Sequence, residues 1–143
     1  MTTTTPASTP TTRAIQRERL GKAMLSVAVV GAVASALGAI SAVVEADGPT
    51  KILETWRLYG LIVFAGLFTL LAIRPHHYRG VWELILFSKL ALTGTAVAYA
   101  IHGGIPGTAS IIGWDGGLSL VLITAYICCR GWTAGPRQRG PSQ

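Results

Sequence analysis

Two ionisable side chains of opposite sign, Lys89 and Asp115, interrupt apolar stretches of this chain, and a third, Glu83, stands near the start of one of them. A lysine in hydrocarbon costs about 2.5 to 3.5 kcal/mol on insertion scales, so it must face a neighbouring helix, a wet cavity or a partner. Asp115 is the charge that would neutralise it. As chemistry, a carboxyl at Asp115 or Glu83 is a candidate general acid, and the Lys89 ammonium a candidate stabiliser of developing negative charge. Two readings of Lys89 stand side by side: a pair with Asp115, functional or structural, and a long side chain snorkelling towards the cytoplasmic boundary. Glu83 precedes Lys89 by about 600° of helical rotation, which puts it on a different face.

A second constellation gathers at one membrane level. Glu45 and Asp47 end the first apolar stretch, Arg57 begins the second, His102 ends the third and Asp115 begins the fourth. Arg57 and His102, with Trp56 and Trp114 beside them, are candidate binding residues at the rim of a pocket for a lipophilic small molecule or quinone. The competing reading is a set of ordinary solvated boundary residues. His76 and His77 lie in the basic hairpin Arg74-Pro75-His76-His77-Tyr78-Arg79, where no third ligand accompanies them, so headgroup contact is expected and a metal site is not. Cys128 and Cys129 are vicinal, which disfavours an unstrained bridge, and lack Cys-x-x-Cys spacing. No cofactor is expected.

Four elements must position these residues. Half of the 143 residues are hydrophobic and only 13% are charged, about half the share of a soluble domain, so the composition is that of a membrane protein. Reading between charges gives spans at about 23–44, 57–73, 81–101 and 111–129. The second is short unless Trp56 and Arg57 form an interfacial first turn. The breaker cluster His102-Gly103-Gly104-Ile105-Pro106-Gly107 makes a tight link between spans three and four. An all-α, antiparallel bundle of four transmembrane helices follows, one domain over residues 20–132. Residues 1–19, rich in Thr and Pro, and 133–143, basic with Gly and Pro, are expected to be disordered tails.

Charge placement sets the orientation. Arg13, Arg17, Arg19, Lys22, Arg74, Arg79, Arg130, Arg137 and Arg139 share one side, and Lys51 and Arg57 face Glu45, Asp47 and Glu54 on the other. Both termini are therefore expected in the cytoplasm, in a multi-pass protein of a bacterial inner membrane. The net charge of +6 is a topology signal, and no nucleic-acid partner is expected. Trp56, Tyr59, Tyr78, Trp82, Tyr99, Trp114 and Trp132 fall near the water boundaries as an aromatic belt. Ala32-Val33-Ala34 has the form of a signal-peptide cleavage site, but the apolar run continues ten residues further, as a retained anchor would. Span one offers two small-residue rows for close helix packing, Gly31/Ser35/Ala39 and Ala34/Gly38/Ala42, with similar surfaces at Gly60, Gly66 and Thr69 and at Thr93, Gly94 and Thr95.

At Trp56-Arg57-Leu58-Tyr59-Gly60, at Arg74 to Trp82, at Lys89-Leu90 and at Gly113-Trp114-Asp115 the chain resembles small bacterial four-helix membrane proteins of the DoxX-like kind, over roughly residues 20 to 130. The resemblance implies association with membrane redox complexes and quinone-linked sulfur or thiol chemistry. It attaches importance to Arg57, Lys89 and Asp115. Because this sequence has no cysteine pair or haem-ligand arrangement of its own, the resemblance implies a scaffold or quinone-facing subunit. Small multidrug exporters of similar length differ, since they carry a carboxylate in the middle of the first helix and span one here has none. The leading expectation is a non-enzymatic accessory or scaffold protein with a small polar pocket. Alternatives are a membrane-embedded cyclase, isomerase or quinone-linked oxidoreductase, and a transporter component. Partners expected are the lipid bilayer and a further membrane protein or a second copy of the chain.

Overall fold

The computed structural model describes residues 12–133. Helix α1 spans Thr12–Glu45, α2 Gly48–Ile73 and α3 Arg79–His102. The fourth span has three consecutive parts: α4 (Thr108–Ile111), a π-helical turn (Ile112–Gly116) and α5 (Gly117–Cys128). A 3-10 turn, Gly131–Thr133, closes the described chain. All four spans are long and apolar enough to cross a membrane, and the protein is an all-α four-helix bundle. Large side chains such as Val27, Leu53 and Phe87 point outward, as they do where the surrounding solvent is hydrocarbon.

Two helices begin earlier than charge spacing alone suggests. Residues 12–19, expected in a disordered tail, are the helical start of α1. Glu18 pairs there with Lys22 one turn on at 2.8 Å, a favourable i,i+4 arrangement, and lies 3.6 Å from His76 of the α2–α3 connection. Residues 1–11 and 134–143, the remainder of the two expected tails, lie outside the described residues. Helix α2 starts at Gly48, well before position 57. Asp47 is extended and Pro49 occupies the first turn, where its missing N–H costs nothing. The charged residues Lys51, Glu54 and Arg57 thus ride on a helix that continues past the apolar core. Gly104 and Gly107 take positive φ, 58° and 89°, to turn the chain from α3 into α4.

The start of α1, the α2–α3 connection and the end of α5 share one end of the bundle, which we term the base. A Cβ on Gly21 would lie 2.5 Å from the Cys129 sulfur, and only the missing side chain lets α1 and the end of α5 approach so closely. The apolar core lies in this half: Leu25, Ala28 and Ala32 of α1, Phe68 and Leu71 of α2, Trp82 and Ile85 of α3, Leu122, Ala125 and Cys129. Trp82 donates its indole N–H to the Pro75 carbonyl at 2.9 Å and meets Tyr126 edge-on, which in turn meets Trp132.

Towards the opposite end, the rim, packing changes. Ala36 and Ala39 of α1 are buried within the α1–α2 hairpin, and Ala96 and Thr108 within the α3–α4 hairpin. No Cα of α1 or α2 comes within 8 Å of α4 or of the π turn, so the two hairpins join at the base and separate towards the rim. The buried stripe of α1 is Gly21, Leu25, Ala28, Ala32, Ala36 and Ala39. Of the two small-residue rows read from sequence, only Ala39 belongs to it. Gly31 and Gly38 have open space where a Cβ would stand, as do Gly60, Gly66 and Gly94, because helix rotation is fixed by the larger Leu25 inserting into the core.

Candidate functional site

Lys89 sits about 15 Å along the roughly 36 Å length of α3, near its middle. Its residue is 7% exposed, and its ammonium donates to Asp115 Oδ1 at 2.6 Å. The link is direct, without an intervening water, and joins α3 to the fourth span. The same ammonium lies 4.2 Å from the centroid of the Phe64 ring on α2, within cation–π range, and Phe64 itself tilts against Phe68. One side chain therefore ties three helices together, at the level where the two hairpins begin to part.

Local backbone geometry presents the carboxylate. Asp115 falls within the five-residue π turn Ile-Gly-Trp-Asp-Gly, a widened turn of the kind that often marks functional positions in helices. Gly116 faces α3, where a Cβ would stand 3.4 Å from the Thr93 methyl, an ordinary packing contact. Ser119 donates to the Asp115 carbonyl at 2.7 Å, and Thr93 to the Lys89 carbonyl at 2.8 Å. Both hydroxyls are thereby satisfied on their own helices, so neither competes for the ion pair. The Lys89 side chain is 9% exposed and that of Asp115 18%, so the pair retains a narrow opening on the acid's side.

Other candidates lie elsewhere. Glu83 accepts from Arg79 at 2.8 Å on an exposed face of α3 and is no part of the pair. Arg57 pairs with Glu54 of its own helix at 3.2 Å, with its side chain 64% exposed. The His102 ring approaches the Ala98 carbonyl at 3.0 Å, an exposed local contact. Trp56 and Trp114 are 78% and 80% exposed, as belt residues facing outward would be. The expected rim constellation of Glu45, Asp47, Arg57, His102 and Asp115 is therefore not assembled: Glu45, Asp47 and His102 are exposed, Arg57 pairs one turn away, and Asp115 turns inward to Lys89. Phe64 was not singled out by sequence reading; its signal is an aromatic residue one turn before Phe68 on an apolar span.

Among the described residues no group of three or more His, Cys, Asp or Glu is placed to hold a metal ion. Cys128 and Cys129 are free thiols, the second buried beneath Gly21. Fold and site together define a multi-pass membrane protein, a four-helix bundle centred on one buried acid–base pair. Comparison with protein-family models, curated proteins and solved structures returns no match.

Proposed function

We propose that this chain is a DoxX-like accessory protein of a bacterial cell membrane, with both termini in the cytoplasm, that acts through a small polar pocket at Lys89 and Asp115 without carrying out chemistry of its own. The observation that carries the reading is the Lys89–Asp115 pair, 2.6 Å apart and placed where the hairpins separate. A pair serving only to lock helices would fit equally well among tightly packed spans. This one lies at the level where α1 and the fourth span no longer approach closely. The base carries Arg13, Arg17, Arg19, Lys22, Arg74, Arg79 and Arg130, the pattern of a cytoplasmic face. Of the two candidate general acids, Glu83 is engaged by Arg79 and stands apart from Lys89, so an enzyme reading would rest on Asp115 alone.

Complementation tests the proposal. In a host whose deletion of this gene has a measurable phenotype, the double variant Lys89→Met with Asp115→Leu is expected to insert and accumulate normally yet fail to restore function. Full restoration by that variant would overturn the reading, leaving the pair a packing device. Turnover of a lipophilic substrate by the purified chain, lost in Asp115→Asn at normal abundance, would instead favour an enzyme.

A further inference from the structure

The opening beside Asp115 has a polar floor, the Lys89–Asp115 pair, and its hydrogen-bonding capacity specifies what fits there. The Lys89 ammonium has three N–H donors. One is taken by Asp115 Oδ1 and the Phe64 face covers the ammonium from another direction. Among the described residues, Asp115 Oδ1 is the only hydrogen-bond acceptor for this ammonium, and Asp115 Oδ2 receives no protein donor. A donor and an acceptor thus remain side by side, next to the opening on the Asp115 side.

The geometry points to a binding site for a lipophilic alcohol, whose single hydroxyl bridges the pair: its oxygen accepts from Lys89 and its O–H donates to Asp115 Oδ2. Charge decides against the obvious competitors. The pair is neutral overall, so an added carboxylate or ammonium head would leave an unbalanced charge within the hydrocarbon, at a cost of several kcal/mol. A plain hydrocarbon satisfies neither polar atom. A hydroxyl satisfies both with one atom and leaves the charge unchanged, and its alkyl or isoprenoid chain leaves on the Asp115 side, where the pair is open, into the surrounding lipid. This assignment rests on the polar-pocket reading above and names the ligand class for that same site.

Photolabelling tests it. The purified full-length chain in bilayer nanodiscs is irradiated with a ten-carbon alcohol carrying a mid-chain diazirine, and adducts are mapped by mass spectrometry. Labelling is expected to concentrate on the helix segments around Phe64, Lys89 to Thr93 and Ile112 to Ser119. It should fall at least about fivefold with excess n-decanol and remain unchanged with n-decane. In Lys89→Met with Asp115→Leu, verified as folded by circular dichroism, the decanol-sensitive fraction is expected to vanish. Even if that variant fails to fold, the competition in the unaltered chain decides the matter. Equal competition by n-decane, or adducts spread evenly over the outward faces of all four spans, overturns the alcohol site. Because the assay needs no host phenotype, it can fail while complementation supports the accessory role, and the reverse.

Discussion

Replacing Asp115 by Leu removes the one acceptor of an ammonium whose side chain is only 9% exposed. An unpaired charge left in such a position costs about 3 to 5 kcal/mol in soluble proteins. The Phe64 face remains and offsets about 0.5 to 1 kcal/mol of that. A net loss of about 3 kcal/mol, roughly 150-fold in the unfolding equilibrium, is therefore expected for Asp115→Leu. Lys89→Met leaves a carboxylate that is 18% exposed and better placed to reach water, so about 1 to 2 kcal/mol is expected. With both changes the pair becomes two apolar side chains of similar shape, and stability is expected within about 1 kcal/mol of the parent. The assay is a double-mutant cycle in mixed micelles, with SDS-driven unfolding followed by circular dichroism. Additive single effects, or a loss under about 0.5 kcal/mol for Asp115→Leu, would refute the claim that the two residues act as one buried unit.

Further outcomes follow from the base. Gly21→Val is expected to lower stability by about 1 to 3 kcal/mol in the same assay, because its side chain meets the Cys129 sulfur and the Ala125 carbonyl; Gly31→Val, facing open space, is expected to be near neutral. Trp82→Phe removes the indole bond to the Pro75 carbonyl and should cost about 1 to 3 kcal/mol, whereas Trp114→Phe, at an outward-facing position, should stay within about 0.5 kcal/mol. Glu83→Gln breaks an exposed pair with Arg79 and is expected to change stability by less than about 1 kcal/mol and to leave complementation intact. In the folded protein, a water-soluble maleimide should modify Cys128 well before Cys129, with both reacting in SDS, as read by mass spectrometry.

The four spans were legible because hydrocarbon admits so few charges that the gaps between them outline the helices. The same rule misjudged where helices end. A helix continues beyond the hydrocarbon when local sequence favours it, as in the Glu18–Lys22 turn of α1 and at Asp47-Gly48-Pro49, where α2 starts ahead of Lys51, Glu54 and Arg57. Insertion cost singled out Lys89 and Asp115 as candidate partners, but it left pairing and snorkelling of Lys89 side by side. Their direct contact depends on the π turn, which adds a residue to the local repeat and is marked in sequence only by the glycines around Trp114-Asp115. The rim constellation failed because membrane level says nothing of direction around the helix. The small-residue rows failed similarly: Ala28, Ala32 and Ala36 form a repeat as good as Gly31 and Gly38, and only the larger side chains selected between them.

A distance measured in a bilayer tests the account most directly. With lysine labelled at 15Nζ and aspartate at 13Cγ, solid-state NMR dipolar recoupling on the reconstituted chain reads the Lys89–Asp115 separation, assigned by its loss in Lys89→Met and in Asp115→Asn. A nitrogen-to-carbon distance of about 3 to 4 Å, as an ion pair in direct contact requires, is the result expected here. A separation beyond about 6 Å, with Lys89 turned towards the base, would contradict the joined hairpins, the polar floor and the alcohol site together.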